Sequence, residues 1–192
     1  RDRLRSRGLG DVYKRQLSNK VLTLAKLEQH KLEMNKKEVP LSPMIEDLIE
    51  KFTIKTEKTI HFTTDLKTEK VYADEEFLKE AISNLIDNAI KYSKESVKIN
   101  ISSSSDANHD IINIYDNGIG IPQKDQKKIF EKFERASAIK QTRKGGPSGF
   151  GLGLNYVYQV MEAHEGRVYI NSIEGEFSEF SLLIPKIIES YD

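Results

Sequence analysis

The sequence predicts an α/β domain preceded by one helix. Three patterns in its 192 residues carry that reading. Apolar residues at Phe77, Leu78, Ala81, Ile82, Leu85, Ile86, Ala89 and Ile90 come in pairs every four residues, the period of a helix that buries one broad stripe. Two further helical stripes run from Met44 to Phe52 and from Leu154 to Met161. Between and after them lie two pairs of short alternating segments, 96–102 with 111–115 and 167–173 with 177–184. Each pair is joined by turn-forming residues, which predicts two β-hairpins.

The chain has room for one domain with a real core and an additional element. It has no Cys, which excludes a disulfide framework and a thiolate metal site. No apolar run approaches the roughly 20 residues that a membrane-spanning helix needs, and no signal-peptide pattern is present. The formal charge is zero but uneven: residues 1–16 are net +4 and hold five of the eight Arg, whereas the remainder uses Lys almost throughout. A basic arm for nucleic acid would look like this. The segment RDRLRSRGLGDVYKRQ has no helical or strand period, however, and its Arg habit is foreign to the rest. We therefore expect residues 1–16 to be a non-native or disordered segment such as a translated adapter, the native N-terminus to be missing, and nucleic acid not to be a partner.

From residue 17 to 35 a helix is expected, with Leu17, Val21, Leu24, Leu27 and Met34 as its stripe and no Gly or Pro inside. Lys37–Leu41 is read as extended. Ser42 followed by Pro43 is a helix start, with Ser as cap and Pro in the first turn. Strands are expected at Thr59–Leu66 and Val71–Ala73, after which Asp74 caps the central helix. The polar run 102–110 is read as a turn, Asp125–Phe133 as a short helix, and 134–148 as a basic loop. The four His look structural or solvated: His30 off its helix stripe, His61 in a strand, His109 in the polar turn and His164 at a helix end.

Chemistry gathers at three places. Beside the apolar stripe of the central helix, Glu80, Asn84, Asn88 and Lys91 share one flank. Alone, such a row is compatible with a solvated surface. The second strand of the first hairpin runs into Asp116-Asn117-Gly118-Ile119-Gly120, where an acceptor is fixed at a strand end and two Gly admit close backbone approach. Gly149, Gly151 and Gly153 open a helix, whose free N–H groups and dipole favour an anion. One nucleotide would satisfy all three places, with a hard cation held by the Asn oxygens. The P-loop pattern is absent.

These residues closely resemble sensor histidine kinases of two-component systems. NLIDNAIKY over 84–92 looks like that family's N box, DNGIGIP over 116–122 its first Gly box, IFEKF over 129–133 its F box, and GFGLGL over 149–154 its second Gly box. Residues 22–28 resemble the end of the second helix of the dimerisation hairpin. The resemblance implies a two-layer α/β sandwich, a mixed sheet with helices on one face, of the histidine-kinase, gyrase and chaperone ATPase type. It implies that 17–35 ends a dimerisation and phosphoacceptor hairpin and that 36–187 is a catalytic domain binding ATP and Mg2+. Carried over by motif position, Asn84 and Asn88 are metal ligands, Lys91 and Arg135 meet phosphate, and Tyr92, Asp116, Gly118, Gly120, Phe133, Gly149, Gly151, Gly153 and Leu154 form the nucleotide pocket. Glu80 is a proton acceptor or water organiser. The implied partners are a response-regulator receiver domain and a second copy joined through the hairpin. The implied place is a cytoplasmic domain, with any membrane anchor upstream.

The chain departs from the family pattern in three ways. No His followed by an acidic residue precedes the domain, so autophosphorylation of this chain alone is not expected. Glu165 stands where the family usually has Gly, and Phe177 where a second Gly is common, which puts two turns in question. A gyrase- or chaperone-type ATPase using Glu80, and an anti-sigma-type binding module, are the competing readings.

Overall fold

Alternation along the strands sets the architecture. The computed structural model describes residues 18–19, 21–29, 33–55, 58–93, 96–132 and 151–187. The chain divides into two compact units, 1–33 and 34–192. In the first, α1 (residues 21–28) buries Leu24 and Leu27 and leaves Val21 and Leu22 exposed. His30 lies outside the described residues. Among the described residues no helix is long and apolar enough to cross a membrane.

The second unit runs β1 (Lys36–Pro40), α2 (Leu41–Lys55), β2 (Ile60–Leu66), β3 (Lys70–Asp74), α3 (Glu75–Lys91), β4 (Val97–Ser105), β5 (His109–Asp116), α4 (Gly153–Ala163), β6 (Arg167–Ile173) and β7 (Phe177–Pro185). A small antiparallel sheet pairs β1 with β3, and a five-stranded sheet has the order β2-β4-β5-β7-β6. Only β2 and β4 run parallel in the large sheet; the other three pairings are antiparallel. Register puts Ile101, Ile114, Phe180 and Ile170 in one cross-strand row, and Ser102, Asn113, Ser181 and Tyr169 in a row on the opposite face. The first face is apolar and lies against the helices. The second is polar, and there Ser181 Oγ donates to Asn113 Oδ1 at 2.7 Å. This division, one face to the core and one to water, is the two-layer sandwich expected of an antiparallel-rich sheet.

Helix α3 supplies the largest part of the core: Leu78, Ala81, Ile82, Leu85, Ile86 and Ala89 are all buried. Its start is fixed by Asp74, whose Oδ1 accepts from the Glu76 and Phe77 N–H groups at 3.2 and 3.3 Å. Acidic Glu75 and Glu76 in the first turn and Lys91 in the last complement the helix dipole. Helix α4 faces it with Tyr156, Val157, Val160 and Met161 buried.

Several sequence expectations change. The helix expected over 17–35 does not reach its end: residue 29 is a turn and residues 33–35 are neither helix nor strand. Residues 125–132 form consecutive turns, with Ile129 N–H donating to Asp125 O at 3.1 Å, rather than the expected helix. The polar run 102–110 is mostly strand, and His109 opens β5 instead of sitting in a loop. Its serines are satisfied locally: Thr68 N–H donates to Ser103 Oγ at 3.0 Å and Ser105 Oγ to Asp110 Oδ1 at 2.6 Å. Helix α2 starts at Leu41, so Ser42 is not its cap; the Leu41 N–H is taken by the Glu69 carbonyl at 2.9 Å. The two turns in question keep their geometry. Glu165 adopts φ 61°, the conformation a Gly would take, and its carboxylate reaches Lys36 Nζ at 3.2 Å. Phe177 stacks on Tyr115 with ring centroids 5.5 Å apart.

Candidate functional site

The same alternation that buries Ile112 and Ile114 turns Asp116, the last residue of β5, toward the helices. It is only 6% exposed, and burial pushes its carboxyl up to about 6 from an ordinary 3.8, against the opposing pull of the Gly118 N–H donated to Oδ1 at 2.8 Å. A buried acceptor that resists ionisation suits a neutral donor on a ligand better than a cation.

The loop after Asp116 is held from both sides. Ile119 N–H donates to the Tyr92 carbonyl at 3.1 Å, which joins it to the C-terminal end of α3. Gly175 N–H donates to Ile119 O at 2.7 Å and Ile121 N–H to Ser172 Oγ at 2.8 Å, which join it to the β6–β7 hairpin. Gly118 is needed for contact: a Cβ there would lie 2.5 Å from Asp116 Oδ1 and 2.9 Å from the Tyr92 carbonyl oxygen.

On α3, the Asn84 amide nitrogen donates to the Glu80 carbonyl at 2.7 Å and approaches Glu80 Oε1 at 3.4 Å. That commitment turns the Asn84 oxygen toward Gly153, the first residue of α4; a Cβ on Gly153 would stand 3.3 Å from it. The Asn row and the start of the Gly-rich helix therefore share one edge. Asn88 is half-buried one turn on, and Lys91 is paired with Asp87. Tyr156 is buried beside this edge. Burial, followed by the charges of Glu80, Asp74 and Glu76, raises its hydroxyl well above the ordinary range, so it stays protonated. Gly151 has φ 68°, and Leu154 is half-buried in the first turn of α4.

The structure thus brings Asn84 and Gly153 together, places Tyr92 against Gly118, and puts Asp116 at the buried end of the sheet. Phe133, Arg135 and Gly149 lie outside the described residues. Asn155 was not singled out by its sequence: its Nδ2 donates to the Phe130 carbonyl at 2.8 Å, while its buried Oδ1 has no hydrogen-bond partner among the described residues. An Asn between Leu154 and Val157 at an inward position is the signal that could have marked it.

Gly153 yields a direct test. Ala at a helical position is favoured over Gly by about 0.5–1 kcal/mol, but the methyl would crowd the Asn84 oxygen at 3.3 Å. Gly153→Ala should therefore melt higher or unchanged and bind Mg-ATP more weakly. A variant that binds as well as the unmodified chain would show that this edge is not a ligand edge.

Residues 73–188 match the family described as histidine kinase-, DNA gyrase B-, and HSP90-like ATPase. The chain is 32% identical over 169 residues to the adaptive-response sensory kinase SasA of Crocosphaera subtropica, covering 86% of this chain and 43% of that protein. It is 30% identical over 180 residues to the sensor histidine kinase WalK of Bacillus subtilis, covering 92% of this chain and 29% of that protein. It spans less than half of either relative. The solved histidine kinase AdeS of Acinetobacter baumannii superposes with a TM-score of 0.76 at 26% identity, over 92% of this chain and 81% of that one. Strand order, motif order and these matches agree, and the chain belongs to the histidine kinase-, DNA gyrase B-, and HSP90-like ATPase family.

Proposed function

We propose that this chain is the catalytic and ATP-binding region of a sensor histidine kinase. In the complete protein it would direct the γ-phosphoryl group of ATP to a His outside this sequence, and from there to an Asp of a receiver domain. The observation that supports the reading is the shared edge of Asn84 and Gly153, because it sets the Asn84 oxygen beside a helix N-terminus, where a metal-bound phosphate would fit.

The residues present fit the implied Mg2+. Among the described residues no cluster of three His, Asp or Glu could hold a metal unaided. The Asn84 oxygen, turned toward Gly153 by the bond from its nitrogen to Glu80, and that of Asn88 would serve as hard neutral ligands, with phosphate oxygens completing the set. Bound Mg2+ would supply charge neutralisation to the phosphates. The chain's own residues would do the positioning. Asp116 would accept from the adenine amine, while the Gly118 N–H steadies its carboxylate. Tyr92 would line the nucleoside. Lys91 would exchange Asp87 for phosphate, an inexpensive exchange because both side chains are more than a third exposed. Glu80 would organise water or accept a proton, and Gly151, Gly153 and Leu154 would lie against the phosphates; motif position assigns Gly149 and Arg135 to the phosphates and Phe133 to the nucleotide pocket.

Calorimetric titration with Mg-ATP tests this. The chain should bind, and Asn84→Ala should lose about tenfold or more in affinity, as expected for an interaction with a charged group. Equal binding by Asn84→Ala would remove the supporting observation. With γ-labelled ATP no label should accumulate on this chain by itself. Steady ATP turnover abolished by Glu80→Gln would favour a gyrase-type ATPase instead.

A further inference from the structure

Helices α3 and α4 run antiparallel, packed along their length, and two contacts between them are polar or close on the backbone. At one, Asn84 faces Gly153. At the other, ten residues back along α3 and just past the end of α4, Asp74 meets His164. At 1.5 Å per residue these contacts are about 15 Å apart. The first lies on the proposed phosphate edge, with Asn84 8% exposed. The second is closed as well: His164 is 3% exposed and Asp74 7%.

The chemistry of the closed contact is specific. His164 Nδ1 lies 2.7 Å from the Val160 carbonyl oxygen, which can only accept, so Nδ1 carries the proton. That leaves Nε2 as the acceptor for the Asp74 N–H, at 2.9 Å. The ring is a neutral two-ended strut between the last turn of α4 and the cap of α3. The Asp74 carboxylate is divided in the same way. Oδ1 caps α3 through the Glu76 and Phe77 N–H groups. Oδ2 accepts the Asn35 N–H at 2.9 Å, and Asn35 is the second residue of this unit. A helix cap needs only one of those oxygens. The second ties the arriving chain to the same point.

We propose that His164, through its bond to the Asp74 N–H, is a positioning residue of the nucleotide cleft: it holds α4 in place along α3 so that Gly153 stays against Asn84, while Asp74 Oδ2 couples that contact to the chain at Asn35. The proposal rests on the nucleotide reading given above. Loss of the strut frees one end of α4, and the other end, where ligand binds, loses its placement. Ligand in turn should steady Asn35, since coupling between two sites is reciprocal.

The test uses the whole chain, with Mg-ATP affinity by calorimetry and exchange of the Asn35 N–H by NMR. His164→Leu removes the acceptor and should weaken binding about three- to tenfold. His164→Gln, which keeps an acceptor near the position of Nε2, should restore most of it. Asp74→Asn keeps one capping oxygen and turns an amide nitrogen toward Asn35. Its affinity should stay within about twofold, while Asn35 exchanges about tenfold or more faster. In the unmodified chain Mg-ATP should slow that exchange, and in His164→Leu it should not. Circular dichroism and melting of each variant separate loss of the strut from loss of the fold. If His164→Leu fails to fold, His164→Asn, whose shorter side chain does not reach the Asp74 N–H, takes its place in both measurements, and full affinity there overturns the positioning role; unaltered Asn35 exchange in Asp74→Asn overturns the coupling. Full affinity in a folded His164→Leu overturns the positioning role alone. Absence of Mg-ATP binding by the unmodified chain overturns the nucleotide reading and this proposal with it.

Discussion

Asp116→Asn is expected to make the ligand-free domain more stable and to cost it about a hundredfold or more in affinity for Mg-ATP. The stability half follows from burial. The carboxyl titrates at about 6 in the folded chain against an ordinary 3.8, so the folded state binds this proton more tightly than the unfolded one. The stability it contributes is therefore fully present below 3.8 and is lost as pH rises through about 6. At neutral pH the buried charge costs on the order of 3 kcal/mol. Asn is nearly isosteric, carries no charge, and keeps an oxygen for the Gly118 N–H that Asp116 Oδ1 now accepts. The variant should melt several degrees higher at neutral pH, and the difference should shrink toward about pH 4. The binding half follows from polarity. With its oxygen held by Gly118, the Asn amide would turn an N–H₂ toward the adenine amine proposed to bind there, donor against donor. Melting curves across this pH range and a Mg-ATP titration check both halves. A pH-independent difference would show that the buried charge is not the source of the instability, and unaltered affinity would remove Asp116 from the adenine site.

Asp116 was legible in the sequence because alternation is a strict rule: Ile112, Ile114 and Asp116 must share a face. The row Glu80, Asn84, Asn88 was legible for the same reason at the helical period. The capping role of Asp74 and both hairpins are equally local, and the structure has them. Non-local features were beyond that reading. Parallel pairing of β2 with β4 joins segments separated by β3 and α3, and no local pattern encodes it. The expected helix at 125–133 rested on only three apolar residues. Contacts outside the segment compete with a helix there: the Asn155 side chain takes Phe130 O, and Gln126 Nε2 reaches Ile121 O and Ser172 O at 2.9 Å each. The serines of 102–105 were misread because composition marks them as turn-forming, whereas Thr68 and Asp110 give their hydroxyls partners within the sheet. Resemblance assigned roles to the site residues but not their neighbours. The pairing of Lys91 with Asp87 one turn back is local and follows the helical period; that His164 bonds to the Asp74 N–H is a property of packing.

Gly120→Ala is expected to cost at least about 3 kcal/mol of stability, more than any other single change considered. Two costs add. Gly120 has φ 63°, and an L-residue in that conformation loses about 1–2 kcal/mol. The new Cβ would also lie 1.9 Å from the Ile173 carbonyl oxygen and 2.7 Å from its carbon, which are backbone atoms with no rotamer to escape into. Relief would require the β6–β7 turn to move, and that turn is fastened to the same loop by Gly175 N–H to Ile119 O and by Ile121 N–H to Ser172 Oγ. Gly175 is the matched control: its φ is 87°, but a Cβ there meets nothing within 4 Å. Gly175→Ala should pay only the conformational cost, about 1–2 kcal/mol. Urea unfolding of the two variants measures the difference, and equal costs would show that the contact with Ile173 does not fix the loop. The contrast also divides the labour within Asp116-Asn117-Gly118-Ile119-Gly120. The first Gly is small so that Asp116 and the end of α3 can close together. The second is small because the far hairpin presses on it, so its loss should unfold the domain before it alters nucleotide recognition.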